Sequence, residues 1–207
     1  MSNGKVFADI AGKYDRINRI LSFGQDQKWR QRAVDYLPDG RLLDLGGGTG
    51  AANEIFGRFE VVALDPSPEM LTLNQAPRRV VAIGERLPFV DGTFDAVFSA
   101  YVVRNLSSIE QALDEIYRVL RPGGRVALVD LGRPKSDGAA RLHRFGSGFV
   151  LPLVGTLAGA RDEYVYLNES LDKLPPPEEL YAATPFRQVD LWRMGPLGFV
   201  HGVVLEK

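Results

Sequence analysis

The chain predicts an α/β fold: a mostly parallel seven-stranded sheet, finished by an antiparallel C-terminal hairpin, with helices on both faces. Three observations carry this. Short apolar runs alternate with helical patterns between residues 42 and 130, as strands joined by crossover helices do. A glycine-packed turn, Gly46-Gly47-Gly48-Thr49-Gly50, follows the first apolar run. The last two apolar runs, 188–194 and 199–205, are separated by a short turn at Gly195-Pro196. They must pair antiparallel, because a parallel return needs a long crossover.

The elements follow in order. Val6, Ile10, Tyr14, Ile17 and Leu21 recur at helical spacing and stop at Ser22-Phe23-Gly24. Trp29, Ala33, Tyr36 and Leu37 predict a second helix, ended by Pro38-Asp39-Gly40. Strand 42–45 runs into the glycine turn, which opens onto a helix over 51–59. Strand 60–64 precedes a short helix over 68–74, with Ser67 as its cap. Strands 80–83 and 94–99 come next, the latter after the turn Asp91-Gly92. Ser107 and Glu110 form a capping box for a helix whose apolar face is Ile109, Leu113, Ile116, Tyr117 and Leu120. Arg121-Pro122-Gly123-Gly124 ends that helix before strand 125–130. Residues 132–160 form a glycine-rich, partly helical excursion. Pro175-Pro176-Pro177 leads into a short helix over 178–183. No internal repeat interrupts this order.

Composition narrows the function. With 207 residues and 45% hydrophobic content, one core is expected: a single domain over 1–207. Residues 1–37 are its N-terminal helical lid and 132–175 a substrate-side lid insertion. A net charge of −1 gives no reason to expect nucleic acid. The absence of cysteine excludes disulfides and thiolate metal sites. His143 and His201 alone do not make a zinc site. The N-terminus shows no secretory pattern. The uncharged run 145–160 contains Pro152 and four glycines and falls short of the ~20 residues needed to span a bilayer. A cytoplasmic protein is expected, with that run serving as a lid or touching a membrane surface transiently.

The glycine turn fits two cofactors. Gly46-x-Gly48-x-x-Ala51 satisfies a loose dinucleotide pattern, and Gly46-x-Gly48-x-Gly50 satisfies the tighter loop of S-adenosyl-L-methionine enzymes. No Gly-Lys-Ser/Thr follows, so a nucleotide-triphosphate loop is excluded. Asp65, at the end of the second strand, can accept two hydrogen bonds from a ribose diol. Asp44 lies directly before the loop. An anion there repels a pyrophosphate but attracts the methionyl ammonium of S-adenosylmethionine.

Four segments then match in order: DLGGGTG, LDPSPEML, ERLPFVDGTFDAVFS and RVLRPGGRV. The set resembles that of the class I S-adenosylmethionine-dependent methyltransferases, which have a Rossmann-like fold. A narrower resemblance covers nearly the whole chain. YDRINRILSFGQDQKWR, Val103-Arg104-Asn105, the segment Asp130 to Pro134, YVYLNES and the closing GFVHGVVLEK are similar to the ubiquinone/menaquinone biosynthesis C-methyltransferases. The resemblance has departures. That family usually has Ala-Cys at Gly46-Gly47 and histidine at Asp26. The acidic residue expected at the adenine amine is Ile83 here, which leaves Glu85 or a carbonyl near Gly84 to read the base. The chain is also somewhat short for the family.

The resemblance implies transfer of a methyl group from the sulfonium to a ring carbon of a small-molecule acceptor, a prenylated quinol such as demethylmenaquinol. It places S-adenosyl-L-methionine against Tyr14, Asp44, Gly46, Gly47, Gly48, Gly50, Asp65, Pro66, Met70, Gly84, Glu85, Ser99 and Ala100. A hydroquinone carbon becomes nucleophilic when the adjacent hydroxyl is deprotonated. Asp130, ending the fifth strand, is the first candidate acceptor for that proton, and Arg104 a candidate for stabilising the phenolate. Each has a plainer role: Asp130 as the cap of a following turn, Arg104 as a structural partner of a carboxylate. His201 reads as structural within its strand, and His143 as a lid residue. Tyr14 with Asp15 fits a lid over the cofactor, and Tyr14 also fits its helix's apolar face. Tyr164 and Tyr166 suit a prenyl tail or ordinary packing. Methylation of another small molecule at oxygen or nitrogen, a nicotinamide-dependent reductase and a non-catalytic cofactor-binding protein are the alternatives.

Overall fold

The computed structural model describes residues 22, 24–132, 138, 174–182, 184–195 and 198–207. The predicted first helix with Tyr14 and Asp15, the excursion with His143, and Tyr164 and Tyr166 lie outside the described residues. The described chain contains helix α1 (Asp26–Val34), strands β1 (Gly40–Leu45) and β2 (Phe59–Asp65), helix α2 (Pro68–Leu73), and strands β3 (Arg78–Val81) and β4 (Phe94–Ala100). Helix α3 (Ile109–Val119), strand β5 (Leu120–Leu131), helix α4 (Pro177–Leu180) and strands β6 (Arg187–Met194) and β7 (Val200–Glu206) complete it.

The seven strands form one sheet in the order β3-β2-β1-β4-β5-β7-β6. The pairs from β3 to β5 are parallel, whereas β7 runs antiparallel to both β5 and β6. The α/β class and the antiparallel closing hairpin are as expected from the sequence. Leu42 to Leu45 of β1 are all buried, as central parallel strands covered on both faces must be. Alternate residues feed two cores. Leu42, Ala63, Phe98 and Ala127 pack with Trp29, Ala33 and Val34 of α1. Leu43, Val62, Val97 and Leu128 pack with Leu113, Ile116 and Val119 of α3.

Two local expectations are corrected. The predicted helix over 51–59 is a single 3-10 turn, Asn53–Ile55. Only Gly57 and Arg58 separate its cap, Phe56, from β2. The cap of α3 is Ser108, not Ser107. Its hydroxyl accepts the Gln111 N–H at 3.2 Å, while the Ser107 N–H donates to Glu85 Oε1 at 2.6 Å. Strand β5 also begins earlier than residue 125. Leu120 already pairs with Phe94, and the register shifts before Ala96 meets Arg125. The glycine pair forms an irregularity inside the strand rather than a boundary.

Candidate active site

The strand order reverses between β1 and β4, and ligands of open α/β sheets bind at the C-terminal strand ends beside such a switch point. The glycine loop stands there. The N–H groups of Gly46 and Gly47 both donate to the Leu64 carbonyl, at 2.7 and 3.0 Å. Gly46 has φ +71° and any side chain on it would collide with Val102. Gly47 is bare for another reason: a Cβ there would lie 2.6 Å from Asp44 Oδ2. Downstream, the Gly50 N–H donates to the Gly47 carbonyl at 2.9 Å.

Asp65 ties this loop to α2. Its Oδ2 accepts the Gly48 N–H at 3.0 Å and its Oδ1 the Ser67 N–H at 2.9 Å. Burial raises its pKa, against the two backbone donors that lower it. Each oxygen keeps acceptor capacity for a ribose hydroxyl. Pro66 is exposed beside it, and Met70 is buried next to Gly48.

Asn74 is a loop residue that sequence reasoning missed. Its Nδ2 donates to the carbonyls of Gly47 (3.3 Å) and Gly48 (3.1 Å). Its Oδ1 accepts from the Ala76 N–H and from Asn53 Nδ2. The sequence marks it only as the end of a short helix, because nothing local shows a bond reaching back 27 residues. Asn74→Ala is expected to destabilise the protein by about 2 kcal/mol, because buried groups lose their partners. Urea denaturation measures this, and an unchanged midpoint would contradict the stapling role.

Asp44 is the electrostatic centre of the site. It is 3% exposed, and its Oδ2 has no hydrogen-bond partner. Burial raises its pKa to about 7; Arg30 opposes the rise and Asp65 adds to it. A buried carboxylate without a partner fits a cationic ligand and repels a pyrophosphate. A dinucleotide also needs a helix N-terminus at its phosphates, and the loop here leads only into a 3-10 turn. The residues therefore fit S-adenosylmethionine, with its ammonium and sulfonium, better than a nicotinamide dinucleotide.

Around the loop, Ser99 Oγ donates to the Leu45 carbonyl at 2.8 Å, a tie between β4 and β1. Ala100 is half-buried at the end of β4. Tyr101 follows with φ +64°, a conformation non-glycine residues adopt at a cost and one that recurs at functional sites. Gly84 is buried against Leu106. Glu85, a candidate reader of the adenine, spends its Oε1 on the N–H groups of Ser107 and Ser108.

Asp130 is wholly buried. Its Oδ2 accepts the Val103 N–H at 2.6 Å and its Oδ1 the Leu131 N–H at 2.7 Å. Arg104 Nη1 lies 3.4 Å from Oδ1 and donates to the Tyr101 carbonyl at 3.0 Å. Burial raises the Asp130 pKa, with Arg104 and the two backbone donors opposing. His201 pairs with Asp130 across β5 and β7. Its Nε2 meets the Tyr181 hydroxyl at 3.1 Å, and burial lowers its pKa to about 3, so the ring is neutral. No group of metal-binding side chains occurs among the described residues.

Fold and site define a Rossmann-like S-adenosylmethionine-dependent methyltransferase. Solved structures agree on the fold. The chain resembles a methyltransferase from Thermotoga maritima described as a possible histamine N-methyltransferase, with TM-score 0.67, 18% identity and 98% of each chain covered. An S-adenosylmethionine-dependent methyltransferase from Aquifex aeolicus gives TM-score 0.60 at 19% identity, covering 96% of this chain and 97% of that one. Sequence comparison is more specific: the model of the ubiE/COQ5 methyltransferase family matches residues 2–191. The chain is 39% identical to the demethylmenaquinone methyltransferase of Thermus thermophilus, over 86% of this chain and 88% of the relative. It is 36% identical to the ubiquinone/menaquinone biosynthesis C-methyltransferase UbiE of Geotalea daltonii, over 86% and 83%. The chain belongs to the ubiE/COQ5 methyltransferase family.

Proposed function

We propose that this methyltransferase C-methylates a demethylmenaquinol or a related prenylated quinol. The observation that carries the acceptor is the likeness to the Thermus enzyme, named for demethylmenaquinone and matched along most of both chains. When bound, S-adenosylmethionine supplies an electrophilic methyl group. Its methyl–sulfur bond would give way to a bond to the ring carbon, and the proton displaced from that carbon would pass to solvent. Catalysis then rests mainly on alignment and exclusion of water. Asp65 would hold the ribose, Asp44 would face the ammonium, and the glycine loop would let the main chain approach.

Arg104 stabilises the phenolate oxygen of the acceptor. The sequence leaves Asp130 as proton acceptor or as cap of a following turn; its enclosure favours a structural role, in which it holds the turn Val103–Asn105 and Arg104 in place. Residues 1–37 and 132–175 serve as lids of one domain, the second toward the prenyl tail. No described helix is long and apolar enough to cross a membrane, and a tailed acceptor would be met by transient surface contact.

The test is incubation with demethylmenaquinol and methyl-labelled cofactor. Label in the quinone is expected; cofactor binding without label transfer would refute the acceptor. Asp130→Asn should lower kcat on the order of tenfold while leaving the acidic limb of the pH–rate profile in place. Disappearance of that limb would make Asp130 the proton acceptor instead.

A further inference from the structure

The turn that carries Arg104, Val103–Asn105, hangs between two buried carboxylates. One end belongs to Asp130 of β5, which accepts the Val103 N–H at 2.6 Å and lies 3.4 Å from Arg104 Nη1. The other end belongs to Glu85, 9% exposed in the loop between β3 and β4. Its Oε1 accepts the Ser107 N–H at 2.6 Å and the Ser108 N–H at 3.4 Å. Ser108 caps α3, and a carboxylate is favourable at a helix N-terminus. Glu115 of α3 returns the tie, because its Oε2 accepts the Leu87 N–H at 2.7 Å. Loop and helix are therefore fastened from both sides. Leu106, inside the suspended segment, packs on Gly84; a Cβ there would lie 3.0 Å from Leu106 Cδ2, so only a bare residue lets the two segments close. Upstream, the Ala82 N–H donates to the Asp65 carbonyl at 3.3 Å. The loop thus joins the acid expected at the ribose to the segment that carries Arg104.

We propose that Glu85 is a positioning residue that couples the cofactor side of the site to the acceptor side. A base seated beside Gly84 fixes the loop 82–87. Glu85 passes that constraint to Ser107 and Ser108, and the turn takes its working place only when both of its ends are held. Arg104 is then aimed before the acceptor arrives. The tie suits this task, because bonds from backbone N–H groups to a carboxylate are short and about twice as strong as neutral ones. Without it, Asp130 holds the turn at one end alone. In this role Glu85 need not touch the base. The inference rests on the reading that sets the adenine beside Gly84 and the acceptor beside Arg104, and it adds the link between them.

Two measurements on the whole chain test it. The first is peptide-resolved hydrogen exchange across residues 103–108, with and without saturating S-adenosylhomocysteine. The ligand should slow exchange about tenfold in the wild type and less than about twofold in Glu85→Ala. Glu85→Gln, which keeps an acceptor oxygen, should recover most of the slowing. The second is the affinity for demethylmenaquinol with and without S-adenosylhomocysteine. The gain should be about tenfold in the wild type and about onefold in Glu85→Ala. A purely structural role would weaken both affinities and leave their ratio as it was. That result, from a Glu85→Ala protein folded by circular dichroism, overturns the proposal. So does a wild type whose exchange ignores S-adenosylhomocysteine, and that outcome needs no variant to fold. If no quinol binds while exchange responds as stated, the link stands and the acceptor reading falls instead.

Discussion

Asp65→Ala is expected to lower the affinity for S-adenosylhomocysteine on the order of 100-fold or more, with the fold intact by circular dichroism. Two losses combine. The ribose diol loses a charged acceptor, and hydrogen bonds to charged groups contribute roughly 1.5–3 kcal/mol each. The loop also loses its anchor, because the same carboxylate holds the N–H groups of Gly48 and Ser67. Asp65→Asn keeps one acceptor oxygen and should retain part of the affinity. Calorimetric titration separates the three proteins. Undiminished binding by a folded Asp65→Ala protein would mean that the sugar lies elsewhere, and the assignment of the crevice would fall with it.

The value of Asp65 was legible because two constraints coincide on it. A carboxylate at the end of a parallel strand, next to a glycine loop, sits in the ligand crevice by topology alone. The order of strands, the closing hairpin and the loop were legible for the same reason: period, length and turn chemistry are local. The missing helix after Gly50 was less so. Residues 51–56 carry no proline or glycine, so nothing local marks that the segment makes a single turn. Asn74 was illegible. It acts through partners far away in sequence, the loop carbonyls. The capping serine lies one residue later than expected: the Ser108 hydroxyl takes the Gln111 N–H, while Glu85, twenty-two residues upstream, holds the Ser107 N–H. Tertiary partners decide between adjacent candidates that local rules treat alike.

Asp44 should show a conflict between stability and function. With a pKa of about 7 in the free protein, against ~4 unfolded, the folded chain holds a proton that the unfolded chain has released. Stability therefore falls as pH rises from ~4 to ~7 and is level above that, as far as this group is concerned. At pH 8 the charge costs the free fold a few kcal/mol. A cationic ligand reverses the preference, since it binds the ionised form. Binding should release a proton below pH 7, and affinity for S-adenosylhomocysteine should fall about eightfold between pH 7.5 and pH 6. Asp44→Asn removes the charge at every pH. The free variant should melt several degrees higher than the wild type at pH 8, bind the ligand roughly 100-fold more weakly at that pH, and have a flatter pH dependence. Titrations in two buffers of different ionisation enthalpy read the proton directly. A variant that melts lower and still binds tightly would show that Asp44 is paired in the free protein and is not waiting for the cofactor. The opposite result would mean that the site is kept destabilised so that the ligand's charge completes it.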